Sequence, residues 1–339
     1  CSLSSKMTQN HPLDSVKTHK NKYILSALAV SLLGGGAIAA EPAYPARPLR
    51  IVNGFPPGGT TDLIARAIAQ KLTERVGQTV IVENRPGAGS MIGSDYVAKA
   101  TPDGYTLLLV SGAFPTQAAV LKNLPYDPLR DFAWITNAVS YPFVVMVKSS
   151  SPMQSVGDLI AAAKKSPGKL NYASVGIGSV LHLAAELFNT MASVDMTHIP
   201  YKGSGEAIPE LIGGRVDVII DPITGAYSHI QSGRTRALAV TSLERAPQLP
   251  RVPTVAQTLP GYEVTSFSGF AAPRGTPPAR IARLNREMRA ILEQPDIRKR
   301  FADLGAMTRP TSPDEFGHLV ASEIAKWKKI AIAKKIEIQ

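Results

Sequence analysis

The sequence has 339 residues, enough for one large or two medium domains with their own hydrophobic cores. Formal net charge is +11, but aromatic residues make up only 6%, which argues against a nucleic-acid surface built on stacked rings. The single cysteine is Cys1, so residues 41–339 contain no disulfide, thiolate nucleophile or cysteine metal site.

Residues 1–40 have the layout of a secretory signal peptide. Three lysines precede an apolar run from Tyr23 to Leu33, and the small residues Ala39-Ala40 follow a glycine triplet. We expect export to the periplasm with cleavage near Ala39-Ala40, and residues 1–6 to be spurious because Met7 is a natural start. The leader holds four lysines and one aspartate, which leaves a charge of +8 to steer anions toward a cleft.

The chain after the leader alternates short β-branched runs with amphipathic segments. The pattern predicts strands over 49–52, 79–82 and 105–110, and helices over 63–76 and 92–100. In the first helix, Ile64, Ile68, Leu72 and Val76 recur every four residues and form one apolar face. Strand–helix–strand order of this kind predicts parallel strands joined by right-handed crossovers.

The same order starts again after residue 143. It predicts strands over 144–147, 170–173, 197–200, 216–220 and 237–240, and helices over 156–165, 181–191 and 207–212. Further helices start near Thr276 and at Ser312, where a capping box has proline at the first helical position. We therefore predict an α/β fold of two lobes. Lobe one comprises 41–142 and 266–339, lobe two comprises 143–265, and the C-terminal helices pack on lobe one.

The stretch NGFPPGGTTD, residues 53–62, lies between the first strand and the first helix. Gly58 and Gly59 allow the backbone to turn, and Thr60 or Thr61 is suited to cap the helix. A glycine-lined helix N-terminus suits an anion, but no Gly-Lys-Ser/Thr follows, so this is not a nucleotide P-loop. Taken alone, the stretch is either a structural turn or an anion site.

The stretch SVGIGS, residues 174–179, occupies the corresponding place in lobe two. Gly176 and Gly178 permit close backbone approach, Ser179 is a natural N-cap, and His182 follows one turn later. Two such helix starts, one in each lobe, favour a ligand site in a cleft over two unrelated turns, because ligands of open α/β sheets bind at the carboxyl ends of the strands.

Three other stretches have residues that suit a functional site. The glycines of GAGSMIG, residues 87–93, imitate a dinucleotide fingerprint, but their spacing and the preceding Arg-Pro favour a bend packed against residues 53–62. Lys202, in YKGSG, is either an anion partner or a surface charge. Asp221 ends a strand facing the predicted cleft, where it either accepts a hydrogen bond from a ligand or caps the next turn.

Catalytic and metal sites have little support. Ser179 and His182 are three residues apart on one helix, a poor geometry for a Ser–His–Asp triad with Asp221, and no G-x-S-x-G elbow is present. The remaining histidines are isolated, without H-x-x-x-H spacing, so no metal or other cofactor is predicted.

A set of motifs in order along the chain resembles the Bug family of extracytoplasmic solute-binding proteins, which serve tripartite tricarboxylate-type transporters. The set includes FPPGG at 55–59, VENRPGAG at 82–89, PDGYTLL at 102–108, GKLNYAS at 168–174, PYKG at 200–203 and RALAV at 236–240. The resemblance implies a type 2 periplasmic-binding-protein fold with a ligand between two lobes that close on a hinge. Asn53-Gly54 and the segment 221–227 depart from the family pattern and border the cleft.

The resemblance implies a receptor without catalytic activity that binds a small carboxylate: a di- or tricarboxylate, an amino acid or an aromatic acid. We expect a monomer whose partners are membrane permease subunits and not nucleic acid. A sensory receptor that presents its ligand to a sensor kinase is the alternative, and a periplasmic hydrolase is a more remote one. The ligand-binding residues that the family resemblance implies are Phe55, Gly58, Gly59, Thr60, Ser174, Gly178, Ser179, His182, Tyr201, Lys202, Gly203 and Asp221.

Overall fold

The computed structural model describes residues 44–201 and 203–336, so the predicted leader and Lys202 lie outside the described residues. The strands are β1 (Leu49–Asn53), β2 (Val80–Asn84), β3 (Thr106–Ser111), β4 (Phe132–Lys148), β5 (Asn171–Ser174), β6 (Thr197–Pro200), β7 (Val218–Pro222), β8 (Thr235–Val240), β9 (Thr265–Pro273) and β10 (Met307–Thr308). The helices are α1 (Thr60–Val76), α2 (Met91–Ala98), α3 (Ala113–Val120), α4 (Val156–Lys165), α5 (Val180–Ala192), α6 (Ser204–Gly213), α7 (Ile223–Gln231), α8 (Pro278–Leu292), α9 (Pro295–Asp303) and α10 (Pro313–Ala333).

The sheet has two halves: the first contains β2, β1, β3, β9 and the start of β4, and the second contains the end of β4 with β7, β8, β5 and β6. The strands β1, β2 and β3 of the first half have the parallel arrangement predicted from the strand–helix order. β1 lies between β2 and β3 and runs parallel to both, with Ile51 paired to Val82 on one side and to Leu107 on the other. β9 continues this half antiparallel to β3, and the first part of β4 follows antiparallel to β9. The carboxyl ends of β1 and β3 therefore meet at one edge.

The long strand β4 belongs to both halves of the sheet. Up to Pro142 it pairs with β9, and from Phe143 onward it pairs with β7 and β8 instead. β5 lies between β7 and β6 and is parallel to both. The change of partners lies at the position where the chain was expected to cross between lobes, although the division into two lobes itself stays a prediction.

Apolar residues at helical spacing form the core on the first half of the sheet. Ile64, Ile68 and Leu72 of α1 are fully buried and belong to one cluster with Leu284 and Met288 of α8. Burying each such side chain contributes roughly 1.5–3 kcal/mol, so this apolar face fixes α1 to the sheet. Its N-terminus is thereby held at the carboxyl end of β1.

The last helix packs against elements of both halves of the sheet. Near its start, Phe316 and Val320 share a cluster with Phe267 of β9, and farther along Trp327 shares a cluster with Phe188 of α5. The capping box predicted at Ser312 is confirmed, since the Ser312 side chain accepts from the Glu315 N–H and Glu315 binds the Ser312 N–H in return. The expected packing on lobe one alone is therefore incomplete.

The sequence pattern left three helices, α3, α7 and α9, and two strands, β9 and β10, unpredicted. It also predicted only residues 144–147 of the 17-residue strand β4. The other predicted elements are present, with ends that differ by a few residues.

Candidate functional site

A cavity of about 1000 Å³ opens where the carboxyl ends of β1 and β3 meet the first turns of α1, α3, α5 and α6. Its walls also include Tyr141 and Phe143, where β4 changes partners, and Ser266 at the start of β9. The cavity thus lies at the strand ends that the sequence predicted for a ligand.

The loop between β1 and α1 is fixed by the buried carboxylate of Asp62. Its Oδ2 accepts from the Gly58 N–H at 3.0 Å and from Arg66 Nε at 2.8 Å, and its Oδ1 accepts from Asn84 Nδ2 at 2.8 Å. Burial alone would raise the pKa of Asp62, but these hydrogen bonds outweigh it and lower the pKa to about 2. The carboxylate therefore stays ionised and holds the loop in shape, a role that the sequence analysis did not predict.

Residue 54 must be glycine because the backbone is crowded there. A Cβ at Gly54 would lie 2.4 Å from the Cβ of Ser90, and a Cβ at Gly93 would lie 3.1 Å from Gly54 Cα. The segment 87–93 therefore packs against the loop 53–62, which confirms the prediction of a bend. The neighbouring Asn53 is buried, and its Nδ2 donates to Phe55 O at 3.4 Å, while its Oδ1 has no hydrogen-bond partner among the described residues.

The first turn of α1 lacks the side-chain cap predicted from Thr60 or Thr61, because both residues lie inside the helix. Gly59 is the N-cap residue, and no side chain of the described residues caps this helix start. Gly59, Thr60 and Thr61 all line the cavity. The positive end of the helix dipole and its unsatisfied N–H groups are therefore directed toward the cavity, as an anion site requires.

The second glycine loop, which leads into α5, is organised differently. Ser179 caps α5 as predicted, accepting from the His182 N–H at 3.3 Å, and Nδ1 of His182 accepts from the Gly178 N–H at 3.0 Å. Gly176 and Gly178 both have positive φ, so the turn depends on glycine. Gly178 and Ser179 line the cavity, whereas His182 supports the loop from behind.

His182 belongs to a stack of rings under this loop. His182 and His198 lie 4.0 Å apart between ring centroids, and Tyr172 stacks on His198 at 5.0 Å. Ser174 Oγ is 2.6 Å from His198 Nε2. Burial lowers the pKa of His182 and, together with its neighbour, lowers the pKa of His198 to about 4, so both rings are neutral at pH 7.

The start of α6 presents another uncapped helix N-terminus to the cavity. Gly203 is the N-cap residue without a side-chain cap, and both Gly203 and Ser204 line the cavity. The hydroxyl of Ser204 donates a hydrogen bond to Oδ1 of Asp221, which is itself fully buried. Asp221 therefore lies behind Ser204 and does not line the cavity, while its Oδ2 has no hydrogen-bond partner among the described residues.

Sequence reasoning missed the part of the site around α3. Ser111 ends β3, is 5% exposed and lines the cavity, yet its hydroxyl has no partner among the described residues. Gln117 also lines the cavity and holds the bend at 87–93 by donating from Nε2 to the carbonyls of Ala88 and Gly89, at 2.7 and 2.6 Å. Position at the carboxyl end of a strand was the one signal that pointed to Ser111.

The cavity walls are mainly apolar and carry no charge. None of the described residues that line the cavity has a charged side chain. Many of the side chains that line the cavity are aromatic, aliphatic or proline, namely Phe55, Pro56, Pro57, Pro86, Met91, Val120, Leu121, Tyr141, Phe143, Val175, Ile177, Val180, Leu181 and Pro222. Such a site suits an apolar ligand body, with polar ends directed at the helix starts.

The predicted site residues fall into two groups. Those that line the cavity are Phe55, Gly59, Thr60, Gly178, Ser179 and Gly203; those that lie outside its lining are Gly58, Ser174, His182, Tyr201 and Asp221. Four of the second group support the first: Gly58 through Asp62, Ser174 and His182 through the second loop, and Asp221 through Ser204. Whether each of them contacts a ligand stays a prediction, and Lys202 lies outside the described residues.

The geometry gives no nucleophile–base pair among Ser179, His182 and Asp221. Ser179 Oγ donates to the Gly176 carbonyl at 2.7 Å and accepts from the backbone of His182, and Asp221 bonds to Ser204. Within residues 44–201 and 203–336, no cluster of three or more His, Cys, Asp or Glu has the arrangement of a metal site. No helix of the same ranges has the length and apolar character needed to cross a membrane.

The two sides of the cavity touch at its rim. Thr60 Oγ1 of α1, which lines the cavity, lies 3.1 Å from Thr224 Oγ1 of α7. Outside the cavity lining, Gln248 Nε2 donates to the Ala302 carbonyl at 2.6 Å. These contacts join residues from opposite halves of the sheet.

Comparison with sequence families and curated proteins gives consistent matches. Residues 64–337 match the model of the Tripartite tricarboxylate transporter family receptor. The chain is 40% identical over 316 residues to the UPF0065 protein in the tcbD-tcbE intergenic region of Pseudomonas sp. (strain P51), covering 92% of this chain and 94% of that protein. It is 37% identical over 309 residues to BugT of Bordetella pertussis, covering 90% and 95%.

Solved structures agree with this result. Rpa4515 of R. palustris with adipate superimposes with a TM-score of 0.79 and 38% identity, over 87% of this chain and 99% of that one. MatC (Rpa3494) from Rhodopseudomonas palustris with bound malate gives a TM-score of 0.74 and 33% identity, over 85% and 99%.

Proposed function

The chain belongs to the tripartite tricarboxylate transporter receptor family, as its resemblance to the Bug proteins predicted, and we propose that it captures a small carboxylate in the cavity between α1 and α6. It is an α/β solute-binding receptor, and its relatives are receptors and not enzymes. The observation that carries the proposal is the convergence of two helix starts without side-chain caps on one uncharged cavity.

The carboxylate binds to backbone N–H groups at the first turns of α1 and α6. Each helix N-terminus carries about half a positive charge. Each first turn also holds an acidic residue, Asp62 in α1 and Glu206 in α6, so the ligand is held mainly by backbone N–H donors and not by a net positive charge. Burial between the halves of the sheet strengthens these hydrogen bonds, because charge-assisted bonds gain in a low dielectric. Ser179 caps α5 itself, so in the second half of the sheet the start of α6 is better placed than the start of α5 to receive the anion.

The body of the ligand is uncharged. No acidic side chain of the described residues lines the cavity, so an ammonium group would be buried without a counter-charge, at a cost of several kcal/mol. Two helix starts offer backbone donors to at most two carboxylates, so the third carboxylate of a tricarboxylate would be buried without donors. We therefore favour an aromatic or aliphatic mono- or dicarboxylate over an amino acid or a tricarboxylate.

The biological setting follows from the family. The leader would direct the chain to the periplasm, with cleavage near Ala39-Ala40, and the two predicted lobes, 41–142 with 266–339 and 143–265, would close on the ligand. The closed complex would then deliver its ligand to membrane permease subunits, as a monomer and without chemical conversion. Adipate and malate are bound by similar proteins.

A thermal-shift screen tests the proposal directly. The probes are benzoate, cyclohexanecarboxylate and adipate, with glutamate, citrate and glucose as comparisons. A ligand at 100 times its Kd stabilises the folded state by roughly 2.7 kcal/mol, so at least one of the first three should raise the melting temperature by several degrees. Stabilisation by glucose alone would contradict an anion site, and stabilisation by glutamate alone would contradict an uncharged ligand body.

A substitution at Gly59 locates the site. Gly59 has ordinary φ, and a Cβ there meets only Pro56 O at 3.9 Å, so Gly59→Val leaves the fold intact while its side chain blocks approach to the first turn of α1. We expect at least a tenfold loss of affinity for the tightest probe at an unchanged melting temperature of the free protein. Gly157→Val, on the exposed face of α4, is the matched control, and equal affinities of the two variants would place the site elsewhere.

A further inference from the structure

Asp221 is a buried carboxyl group whose one partner lines the cavity. The residue is fully buried at the end of β7, and the hydroxyl of Ser204 donates to its Oδ1. Its Oδ2 has no hydrogen-bond partner among the described residues, and a Cβ on Gly225 would lie 3.3 Å from that oxygen. Ser204 itself forms part of the cavity wall at the first turn of α6.

An ionised carboxylate is expensive in this position. One hydrogen bond from a hydroxyl does not replace the solvation that an ion loses on burial, so the neutral form is favoured. Burial accordingly raises the pKa of Asp221 to about 7, against a smaller lowering by the Ser204 hydrogen bond. Both protonation states are therefore accessible near neutral pH.

The state of Asp221 decides which way the Ser204 hydroxyl can bond. A serine hydroxyl has one hydrogen and two lone pairs. When Asp221 is ionised, that hydrogen is donated to Oδ1, and Ser204 presents only lone pairs to the cavity, which repel a carboxylate. When Asp221 is protonated, its own O–H donates to Ser204 Oγ, and the serine hydrogen is free to bond a ligand carboxylate.

We propose that Asp221 is a positioning residue that sets the hydrogen-bond direction of Ser204, so that the cavity binds a carboxylate together with one proton on Asp221. The inference rests on the proposed function, because it requires a carboxylate ligand near the start of α6. It makes Ser204 a ligand-contacting residue, and it gives Asp221 a role through Ser204 in place of the direct contact expected from the sequence.

The other ionisable groups on the packed elements do not account for this behaviour. On β4, Lys148 Nζ lies near Gly214; on β5, the Tyr172 hydroxyl donates to Glu186; on α6, Glu210 pairs with Arg215. The remaining ones are Glu206 on α6, which has a partner of its own, and Tyr227 and His229 on α7. None of these charges contributes to the pKa of Asp221, and Lys202 lies outside the described residues.

The test is the pH dependence of carboxylate affinity in three proteins. Titration calorimetry with the tightest of benzoate, cyclohexanecarboxylate and adipate is run from about pH 6 to about pH 9, where these carboxyl groups stay ionised. For the unmodified protein we expect Kd to rise above pH 7 by up to about tenfold per pH unit, since each bound ligand requires one proton. Asp221→Asn cannot ionise and should keep Kd within about threefold over the same range. Asp217→Asn, at the other end of the same short segment, is the matched control and should keep the unmodified pH profile.

A second measurement needs no variant. Binding heats in buffers of different ionisation enthalpy report proton uptake, and at about pH 8 we expect close to one proton taken up per ligand. Ser204→Ala should weaken binding at about pH 6 by roughly tenfold and flatten the pH profile, because it removes the hydroxyl that links the two groups.

The outcomes separate the two proposals. A pH-independent Kd without proton uptake would overturn the role of Asp221 while leaving the receptor function intact, as would a pH profile that Asp221→Asn retains. If none of the probes binds at any pH, the proposed carboxylate function fails, and the inference falls with it.

Discussion

Two buried aspartates of this protein have opposite electrostatic environments. Asp62 accepts three hydrogen bonds and ionises readily, whereas Asp221 accepts one and is favoured in its neutral form. Both residues are almost fully buried, so burial alone does not predict the charge of a carboxyl group. The number of hydrogen-bond donors that face the carboxyl group decides its charge. The stability of the protein should therefore depend on pH in opposite directions through the two residues.

Removing the charge of Asp62 should destabilise the fold. Because its pKa is lowered, ionised Asp62 contributes stability above the unfolded pKa of about 3.9, and this contribution is lost as pH falls from about 4 to about 2. We expect Asp62→Asn to lower the free energy of unfolding by roughly 1–2.5 kcal/mol at pH 7, measured by urea denaturation. Asp314→Asn on the exposed start of α10 is the control, and an equal loss there would mean that the network around Asp62 is not special.

Removing the charge of Asp221 should stabilise the fold at high pH. Its pKa is raised, so the folded state holds a proton that the unfolded chain has released, and stability falls as pH rises from about 4 to about 7. At about pH 8, the free energy of unfolding of Asp221→Asn should therefore exceed that of the unmodified protein by up to roughly 4 kcal/mol, and its melting temperature should be higher. At about pH 4 the two proteins should differ little. The compared quantity is the stability of Asp221→Asn minus that of the unmodified protein. If this difference is smaller at pH 8 than at pH 4, the environment described for Asp221 is wrong.

At the scale of single elements, the sequence predicted helices and strands whose residues follow a regular pattern and missed those without such a pattern. The helix α1 was readable because Ile64, Ile68 and Leu72 recur with its period, and α10 because Ser312 and Glu315 form its capping box. β9 was missed because its sequence, TSFSGFAAP, is rich in small residues. Gly269 explains why: a Cβ there would lie 2.4 Å from the ring of Phe316, so the close packing of α10 on β9 requires the small residue.

The site was predictable to the same extent. The glycine loops before α1 and α5 were found because glycines followed by Ser or Thr mark a helix start in any sequence, although only α5 has the predicted side-chain cap. Ser111, Ser204 and Ser266 were missed, since a single serine carries no period and becomes part of a wall only when distant strands come together. Asp221 was noticed, but only the structure shows that Ser204 stands between it and the cavity.

The capping box of α10 should contribute measurably to stability. Ser312→Ala leaves the Glu315 N–H without its acceptor, so we expect a loss of about 1 kcal/mol in the free energy of unfolding. Ser322→Ala, on the exposed middle of the same helix, should be neutral or slightly stabilising because alanine favours helix. Equal effects of the two substitutions in urea denaturation would show that the cap has no specific role.

At the scale of the whole molecule, β4 and α10 connect the two halves of the sheet, and the cavity lies where those halves meet. β4 passes from one half to the other at Pro142 and Phe143, beside the cavity wall. Residues on opposite sides also touch directly, at the rim through Thr60 with Thr224 and outside the cavity lining through Gln248 with Ala302. In a receptor that closes on its ligand, we expect contacts of this kind to form on closure and to oppose release.

Thr224→Val should therefore accelerate ligand release without harming the free protein. Valine keeps the shape of threonine but removes the hydroxyl that lies 3.1 Å from Thr60 Oγ1, and a neutral hydrogen bond contributes about 0.5–1.5 kcal/mol. We expect the dissociation rate of the tightest carboxylate probe to rise by roughly threefold to tenfold in stopped-flow measurements, with little change in the association rate, since closure follows encounter. Thr190→Val, on an exposed part of α5, is the control and should leave both rates unchanged. A change confined to the association rate would mean that the Thr60–Thr224 contact forms before the ligand enters, and that the rim is not part of the closing movement.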